Sequence, residues 1–247
     1  MEVKICAISD IHGSLIEIPD CDILCICGDI LPLDIQRNND ESVAWLAGPF
    51  QKWALEAPCK YVVMIWGNHD FIGQKYEDKY YTGDEVAQII FQNDLGPDPK
   101  IYILSDDSIE LMGIKFYGTS WCPELKNWAF YADSENLKTY FDMIPTDTDI
   151  LLTHCPPKYG QQGIVLQPNN WNFGSNFGCQ ELQDAIEKKF TSLRSNDEYN
   201  KLYILSGHIH SGNHEWENEG NVWYRNVSIK DENYEPVYLP KVFTVYV

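Results

Sequence analysis

Short apolar runs that alternate with helix-like segments are the feature that most restricts the fold of this chain. Three such runs open the sequence: VKICAIS (3–9), DILCIC (22–27) and YVVMIW (61–66). Runs of β-branched, aromatic and small apolar residues are typical of strands buried on both faces, as in a parallel or mixed sheet. Between the second and third runs, residues 42–57 have the pattern of a helix that Gly48 and Pro49 should interrupt.

The same alternation continues to the end of the sequence. We predict helices over 84–94, over 134–144 with Ser134 as the cap, and over 179–190. We predict strands within 101–120, 149–154, 202–210, 221–229 and 240–247. Repeats, low-complexity tracts and linkers are absent, so we expect one domain over residues 1–247.

The composition is that of a globular but strongly acidic protein. Hydrophobic residues make up 44% of the chain, which is ample for a core. The 37 acidic and 18 basic residues give a formal net charge of -19. Long-range attraction to nucleic acid or to an anionic membrane is therefore not expected. A ligand that carries phosphate would need local positive charge, which a bound metal could supply.

The amino-terminal segment bears on location. It carries Glu2 and Lys4 and has only a short apolar stretch, which predicts neither a signal peptide nor a membrane anchor. We expect a cytoplasmic protein without a membrane partner, whose eight cysteines are reduced and structural. A zinc site at Cys21, Cys25 and Cys27 is a weak alternative, because only the last two share a face of an extended strand.

Polar side chains follow directly after several of the predicted strands. They are Asp10 and His12, Asp29, the group Asn68, His69 and Asp70, then His154, and finally His208 and His210. Any one of these segments could be an ordinary turn. However, five of the six histidines occupy such places, and the carboxyl ends of strands in α/β sheets are where ligands bind.

The chemistry of these residues suits a pair of divalent metal ions. In an extended chain alternate residues face the same side, so Asp10 and His12 can act together. The carboxylate of Asp29 has two oxygens and can bridge two ions. A set of nitrogen and oxygen ligands without thiolate favours Mn²⁺, Fe or Zn²⁺ over calcium. Two such ions can activate water and polarise a phosphoryl oxygen, which would let an acidic protein accept a phosphate ester.

The motifs DxH, GD, GNHD, TH and GHIH, in that order, resemble the calcineurin-like metallophosphoesterases from residue 5 to residue 210 at least. The segments YGTSWCPELKNWAF, DILLTHCPP and GHIHSG resemble a narrower branch, the metallophosphoesterase-domain proteins related to class III cyclic-nucleotide phosphodiesterases. The fold that this resemblance implies is α/β, a four-layer α/β/β/α sandwich of two mixed sheets flanked by helices.

The resemblance also implies a role for each residue. One ion would be held by Asp10, His12, Asp29 and His210. The second ion would be held by Asp29, Asn68, His154 and His208. His69 would face the substrate as proton donor or phosphate clamp, oriented by Asp70, where family members commonly have glutamate.

The segment GDILPLDIQR departs from one branch of that family. Phosphoprotein phosphatases have GDxVDRG here, with an arginine that binds phosphate. Its absence favours a phosphodiesterase acting on a small phosphodiester, with a 2′,3′- or 3′,5′-cyclic nucleotide as the best candidate. The alternatives are a phosphomonoesterase, a nuclease, or a metal-binding scaffold without turnover.

Two features separate these alternatives. The acidic charge and the lack of a Lys/Arg-rich stripe argue against a nuclease and against duplex nucleic acid as a partner. Every ligand position is filled, which argues against a scaffold.

Two aromatic loops and one further histidine lie near these motifs in the sequence. The loops SWCPELKNWAF and QPNNWNFGSNFG could stack a base or close a lid, but packing onto the core is an equal alternative. His214 follows the GHIH motif without a role in the family, and we expect it to be an ordinary surface residue.

Overall fold

Strands and helices alternate along residues 1–94, 96–123, 125–191 and 201–247, which a computed structural model describes. The helices are α1 (Asn39–Trp45), α2 (Gln51–Glu56), α3 (Phe71–Glu77), α4 (Gly83–Ile90), α5 (Ser134–Asp142) and α6 (Gln180–Ile186). The strands are β1 (Glu2–Ile8), β2 (Ile23–Cys27), β3 (Tyr61–Ile65), β4 (Ile101–Ile103), β5 (Asp107–Leu111), β6 (Ile114–Thr119), β7 (Cys122–Pro123), β8 (Tyr131–Ala132), β9 (Ile150–Thr153), β10 (Leu202–Ser206), β11 (Glu217–Glu219), β12 (Val222–Asn226) and β13 (Lys241–Tyr246).

The first sheet has the strand order β13-β1-β2-β3-β4. Strand β13 is antiparallel to β1, and the other neighbours are parallel. The three apolar runs of the sequence form its centre, and every residue of β2 and β3 is buried, as predicted. Because β1, β2 and β3 are parallel, the residues that follow them meet at one edge of the sheet.

The second sheet has the order β11-β12-β10-β9-β6-β5. Its four central strands are parallel, and the outer pairs β11·β12 and β5·β6 are antiparallel. Strands β9 and β10 end at Thr153 and Ser206, so His154 and His208 both lie beyond the carboxyl ends of neighbouring strands.

Two buried clusters give the molecule its layers. Between the sheets lie fully buried side chains that include Ile5, Val63, Phe116, Leu152 and Leu205. The outer cluster joins sheet residues, among them Leu24, Met64, Leu151 and Ile204, with helix residues that include Phe141, Ile186 and Ile90. Alternate residues of one strand thus face different clusters, and the helix–sheet–sheet–helix arrangement confirms the predicted fold class.

The helix predicted over 42–57 differs in detail. It begins at Asn39, because the side chain of Asn38 accepts hydrogen bonds from two backbone N–H groups of the first turn. Pro49 does not end it: residues Leu46–Phe50 form a π-helical turn that continues into α2. A wider turn can accommodate a proline that has no N–H and would clash with an ordinary α-helical turn.

Other helix boundaries also differ from the predictions. The cap of α5 is Asp133 and not Ser134, because Oδ1 of Asp133 accepts the N–H of Asn136 at 2.9 Å. The helix predicted over 84–94 ends at Ile90 and is followed by a 3₁₀ turn, Gln92–Asp94. Within the described residues, no helix has both the length and the apolar character needed to span a bilayer.

Candidate metal centre

The predicted metal ligands gather where the parallel strands of both sheets end. Asp10 and His12 follow β1, Asp29 follows β2, Asn68 follows β3, His154 follows β9, and His208 and His210 follow β10. Their donor atoms form overlapping groups within 4.8 Å of one another, among them Asp10–His12–His210 and Asp10–Asp29–His154. The structure therefore brings together residues that are up to 200 positions apart in the sequence, from Asp10 to His210.

The backbone of these segments is strained. Asp10, His12, Asp29 and His208 have φ values of 54°, 39°, 53° and 66°, in the left-handed region. That region costs an L-residue about 1–2 kcal/mol, and residues held there concentrate at functional sites. Gly28 has φ 89°, and a Cβ there would lie 2.7 Å from Nδ1 of His154. Only glycine therefore allows Asp29 to approach His154 so closely.

Asp29 lies at the centre of the cluster. One of its oxygens, Oδ1, accepts the backbone N–H of His69 at 2.8 Å. The other, Oδ2, lies 3.6 Å from Nε2 of His12 and 3.4 Å from Nε2 of His154. A single carboxylate oxygen thus faces histidines of both predicted ligand sets, which is the position that a bridging ligand requires.

On the side of His12 and His210, the ring nitrogens are available to a cation. His210 donates from Nδ1 to the backbone carbonyl of Asp231 at 2.8 Å, which directs Nε2 toward Oδ1 of Asp10 at 3.5 Å. Both ring nitrogens of His12 are buried and make no hydrogen bond. Buried polar atoms normally have partners, so these orphaned nitrogens indicate a ligand site.

On the other side, two imidazole nitrogens converge on the amide oxygen of Asn68. Nδ1 of His154 donates to the carbonyl of Cys27 at 2.8 Å, which directs Nε2 inward. The amide oxygen of Asn68 lies 2.9 Å from this Nε2 and 2.9 Å from Nδ1 of His208. A nitrogen that carries a proton donates to this oxygen, and a nitrogen without one has a lone pair for a cation.

The two carboxylates among the predicted ligands, Asp10 and Asp29, are ionised. Burial raises the pKa of Asp10, but its hydrogen bond to His210 and the charge of His210 outweigh burial and lower the pKa to about 2. Burial likewise raises the pKa of Asp29, but the attraction of His154 and His69 holds it well below its usual range. The cluster therefore carries two negative charges that need compensation.

In the metal-free protein, protons provide that compensation. Burial lowers the pKa of His154, but attraction to Asp29 reverses the shift and raises it to about 10. For His210, the hydrogen bond to Asp10 likewise outweighs burial and raises the pKa to about 9. Burial keeps His12 and His208 neutral, with a pKa of about 3 each. Each side of Asp29 thus holds one proton at a nitrogen that a metal could take instead.

This donor set fits divalent metal ions. It offers imidazole nitrogens, carboxylate oxygens and one amide oxygen, which suit first-row divalent metals. A further donor was missed by sequence reasoning: Sγ of the buried Cys122 and one ring nitrogen each of His154 and His208 lie within 4.8 Å of one another. Cys122 lies in β7 and within the segment SWCPELKNWAF, which stands out in the sequence only for its aromatic residues, so its thiol is not among the predicted ligands.

His69 is held by a residue that the sequence analysis did not identify. Its Nδ1 lies 2.6 Å from Oε1 of Gln36, whose amide nitrogen donates to the carbonyl of Leu33 at 2.9 Å. The second contact fixes the amide, so Gln36 accepts and His69 donates from Nδ1. Nε2 of His69 is then the atom free to exchange a proton, and it lies 3.9 Å from Oδ2 of Asp29.

The predicted orientation of His69 by Asp70 is wrong as a direct contact. The carboxylate of Asp70 accepts backbone N–H groups of Ile30, Leu31 and Gly67 at 2.8–3.2 Å. It is fully buried behind the site, and burial raises its pKa to about 7. Asp70 therefore ties the turn after β3 to the segment after β2, and acts on the position of the backbone and not on the imidazole ring.

A cavity of about 240 Å³ opens in front of the cluster. Besides Asp29, Asn68 and three histidines, its described lining residues are Leu125, Trp128, Glu232 and Tyr234. We call Trp128, Glu232 and Tyr234 the outer wall. Trp128 belongs to the aromatic loop SWCPELKNWAF that the sequence analysis singled out, whereas the segment around Tyr234 carried no recognised motif.

The second aromatic loop and His214 were also singled out by the sequence, and neither is among the described residues that line the cavity. Trp171 of the second aromatic loop is 91% exposed and does not line the cavity. His214 is not an ordinary surface residue, since it is partly buried with its ring 3.9 Å from that of Tyr238. Its Nε2 donates to the backbone carbonyl of His210 at 3.0 Å, so it supports the segment that carries His210.

The cysteines lie where the sequence predicts. All eight are free thiols, and Cys25 and Cys27 are buried within β2. Among the described residues, the groups able to hold a metal do not include Cys21, Cys25 or Cys27.

The sequence of the chain is similar to those of known proteins. The pattern of the calcineurin-like phosphoesterase family matches residues 3–212, a range that contains every predicted ligand. A UPF0046 protein of Caenorhabditis elegans is 28% identical over 263 residues, covering 98% of this chain and 60% of that protein. Metallophosphoesterase domain-containing protein 1 of Homo sapiens is 25% identical over 247 residues, covering 95% of this chain and 68% of that protein.

These relatives are longer than the chain, which spans 60% of the nematode protein and 68% of the human one. Among solved structures, the sulfate thiohydrolase SoxB of Thermus thermophilus in complex with glycerol aligns with 83% of this chain and 33% of its own. Its TM-score is 0.37 at 16% identity, a likeness too distant to support an inference.

Proposed function

The chain belongs to the calcineurin-like phosphoesterase family, and from that premise we propose that it is a dinuclear-metal phosphodiesterase that hydrolyses a small phosphodiester. The observation that carries this proposal is the position of Asp29, whose Oδ2 faces His12 and His154 at 3.6 and 3.4 Å. In this proposal Asp10, His12, Asp29 and His210 hold one ion. Asp29, Asn68, His154 and His208 hold the other.

When bound, two divalent ions would supply positive charge to the phosphoryl group and lower the pKa of an attacking water. The chain's own residues orient the ligands and position the proton donor. The backbone carbonyls of Cys27 and Asp231 keep His154 and His210 in the tautomers that direct Nε2 inward. The turn held by Asp70 places Asn68 and His69 side by side with different tasks.

His69 is the candidate proton donor to the leaving alcohol. Gln36 holds its Nδ1, so Nε2 is directed into the cavity that the substrate would enter. Donation requires a second proton, on Nε2: burial lowers the pKa of this imidazole, whereas the charge of Asp29 raises it. That proton would neutralise the alkoxide as its bond to phosphorus breaks. This role is the one that the family resemblance implies for His69.

The cavity supports a small substrate over a polymer. Its volume is about 240 Å³, and no lysine or arginine is among the described residues that line it. A nuclease normally tracks the nucleic acid backbone with such residues. A cyclic nucleotide is the diester that the branch resemblance indicates, and Mn²⁺ is the first ion to try. A phosphomonoesterase or a scaffold without turnover is the alternative.

The test is hydrolysis of bis-p-nitrophenyl phosphate by protein reconstituted with Mn²⁺, Fe²⁺ or Zn²⁺. We expect metal-dependent release of p-nitrophenol that exceeds the release from p-nitrophenyl phosphate. Faster hydrolysis of the monoester would favour the monoesterase. Absence of turnover with each ion, in protein that binds two equivalents, would favour the scaffold.

A further inference from the structure

The loop that carries Tyr234 closes over the metal side of the cavity. Its ring centre lies 5.0 Å from that of His12, 5.0 Å from that of His210 and 6.2 Å from that of His69. Tyr234 has φ 64°, a conformation that an aromatic residue rarely adopts. The loop is nevertheless tightly closed, since the N–H of Tyr234 donates to the carbonyl of Asp231 at 2.9 Å. The ring is therefore held above the histidines although 37% of the residue is exposed.

Trp128 also contacts His69. Its ring centre is 4.3 Å from that of His69. The guanidinium of Arg37 lies over the rings of Phe71 and Trp128, at 4.1 and 5.2 Å, and donates to the carbonyl of Asn127 at 2.9 Å. Arg37 is not among the described residues that line the cavity, so it holds Trp128 in place from outside. Two aromatic rings of the cavity lining thus lie next to the imidazole beside which the organic part of a substrate must lie.

Glu232 is the charged residue of the outer wall, and the nearby cations of Arg37 and Lys230 are not among the described residues that line the cavity. Glu232 lines the cavity, and its Oε1 accepts the N–H and the hydroxyl of Ser211 at 3.0 and 2.7 Å. Its own N–H donates to Oε1 of Gln167 at 2.9 Å, which fixes the residue at both ends. An anionic organic group would meet this carboxylate, and no lysine or arginine is among the described residues that line the cavity.

Tryptophan and tyrosine rings together with a carboxylate are the usual chemistry for binding an ammonium group. We propose that the outer wall of Trp128, Glu232 and Tyr234 is a binding site for a positively charged organic group of the substrate, namely an alcohol bearing an ammonium group. This inference rests on the proposed function, because it concerns the alcohol that is esterified to the phosphate. It predicts that the substrate is an ester of an ammonium-bearing alcohol and not a nucleotide.

The test compares two diesters that differ by one charge. They are p-nitrophenyl phosphorylcholine and p-nitrophenyl 3,3-dimethylbutyl phosphate, in which an uncharged tert-butyl group replaces the ammonium. Cleavage of either ester bond is counted, as p-nitrophenol or as p-nitrophenyl phosphate. The Mn²⁺-loaded protein should have a kcat/KM about tenfold higher for the choline ester, mainly through KM. Thymidine 5′-p-nitrophenyl phosphate, a nucleotide diester with the same p-nitrophenyl group, should be the poorer substrate.

Variants locate the preference in the outer wall. Glu232→Gln and Tyr234→Leu should each bring the ratio of the two esters close to one, with metal content unchanged. Glu235→Gln removes an exposed carboxylate of the same loop that does not line the cavity, and should keep the ratio. A ratio near one in the unmodified protein, a preference for the thymidine ester, or a ratio insensitive to both wall variants would overturn the proposal.

Failure of the proposed function would be seen separately. If neither ester is hydrolysed, calorimetric titration of the metal-loaded protein with phosphocholine and with 3,3-dimethylbutyl phosphate still tests the site. Tighter binding of phosphocholine that Tyr234→Leu abolishes would support the site without turnover. Equal binding of the two compounds would contradict it.

Discussion

The metal cluster and the outer wall of the cavity are built in different ways. The cluster stands on the ends of five buried parallel strands, and four of its seven residues have left-handed backbone conformations. The outer wall stands on loops, with Trp128 held by an arginine and Tyr234 held by a closed turn. A position at a strand end is fixed by the sheet, whereas a loop position can change without altering the fold. We therefore expect changes in the cluster to abolish metal binding, and changes around the cavity to alter rate or selectivity.

The largest effect should come from Asp29. Asp29→Ala removes the carboxylate that faces both halves of the cluster, so both ions should be lost together with metal-dependent turnover. Metal analysis of the purified variant checks this. Asp147→Ala is the control, because it removes an exposed carboxylate bonded to Lys115 and should leave two ions in place. Two ions still bound in Asp29→Ala would refute the bridge.

The next effect separates two neighbours, Asn68 and His69. His69→Ala should keep both ions and lose rate by roughly 10²–10⁴-fold, because a general acid is missing. The loss should be smaller for p-nitrophenyl esters than for alkyl esters, since p-nitrophenol needs little protonation. Asn68→Ala should instead weaken binding of one ion, with activity partly restored by excess Mn²⁺. Equal losses for both ester types would argue against His69 as the acid.

A smaller effect is expected at Gln36. Gln36→Leu removes the acceptor for Nδ1 of His69, and one hydrogen bond contributes about 1 kcal/mol, which corresponds to a loss of roughly fivefold in kcat. Metal content should not change, and alkyl esters should suffer more than p-nitrophenyl esters. Gln36→Glu restores an acceptor and should recover part of the rate on alkyl esters. A loss of metal in Gln36→Leu would show that the residue supports the cluster instead.

The smallest effect concerns the protons that metal ions must displace from His154 and His210. His154 and His210 have pKa values raised to about 10 and about 9, so both are protonated near neutral pH in the metal-free protein. Metal binding must displace these protons, so affinity should rise with pH through the neutral range. Calorimetry in buffers of different ionisation enthalpy should report about one proton released per ion. A binding enthalpy that is independent of the buffer would contradict the protonation of these histidines.

The same protons affect the stability of the metal-free protein. A histidine whose folded pKa is raised stabilises the fold below its unfolded pKa, and that contribution is lost as pH rises through the folded value. The metal-free protein should therefore lose stability between about pH 6.5 and pH 10 on account of His154 and His210. The metal-loaded protein should lack this decline, which melting curves at several pH values would show.

The difference between strand ends and loops also explains which parts of the site the sequence predicts. The apolar run 61–66 identifies a buried strand, and the polar residues after it must then lie at the sheet edge. Gln36 and Cys122 could not be found in this way, because Gln36 lies in a turn and Cys122 in the two-residue strand β7, and no apolar periodicity leads to either. Asp70 lies beside the cluster, but its partners are backbone N–H groups, and such contacts leave no trace in the sequence.

The central claim is that Asp29 joins two metal ions in one centre. Protein reconstituted with Mn²⁺ should bind two equivalents, and its electron paramagnetic resonance spectrum should show exchange coupling between ions about 3.5–4 Å apart. One equivalent of Mn²⁺, or two equivalents with the spectrum of isolated ions, would contradict the account.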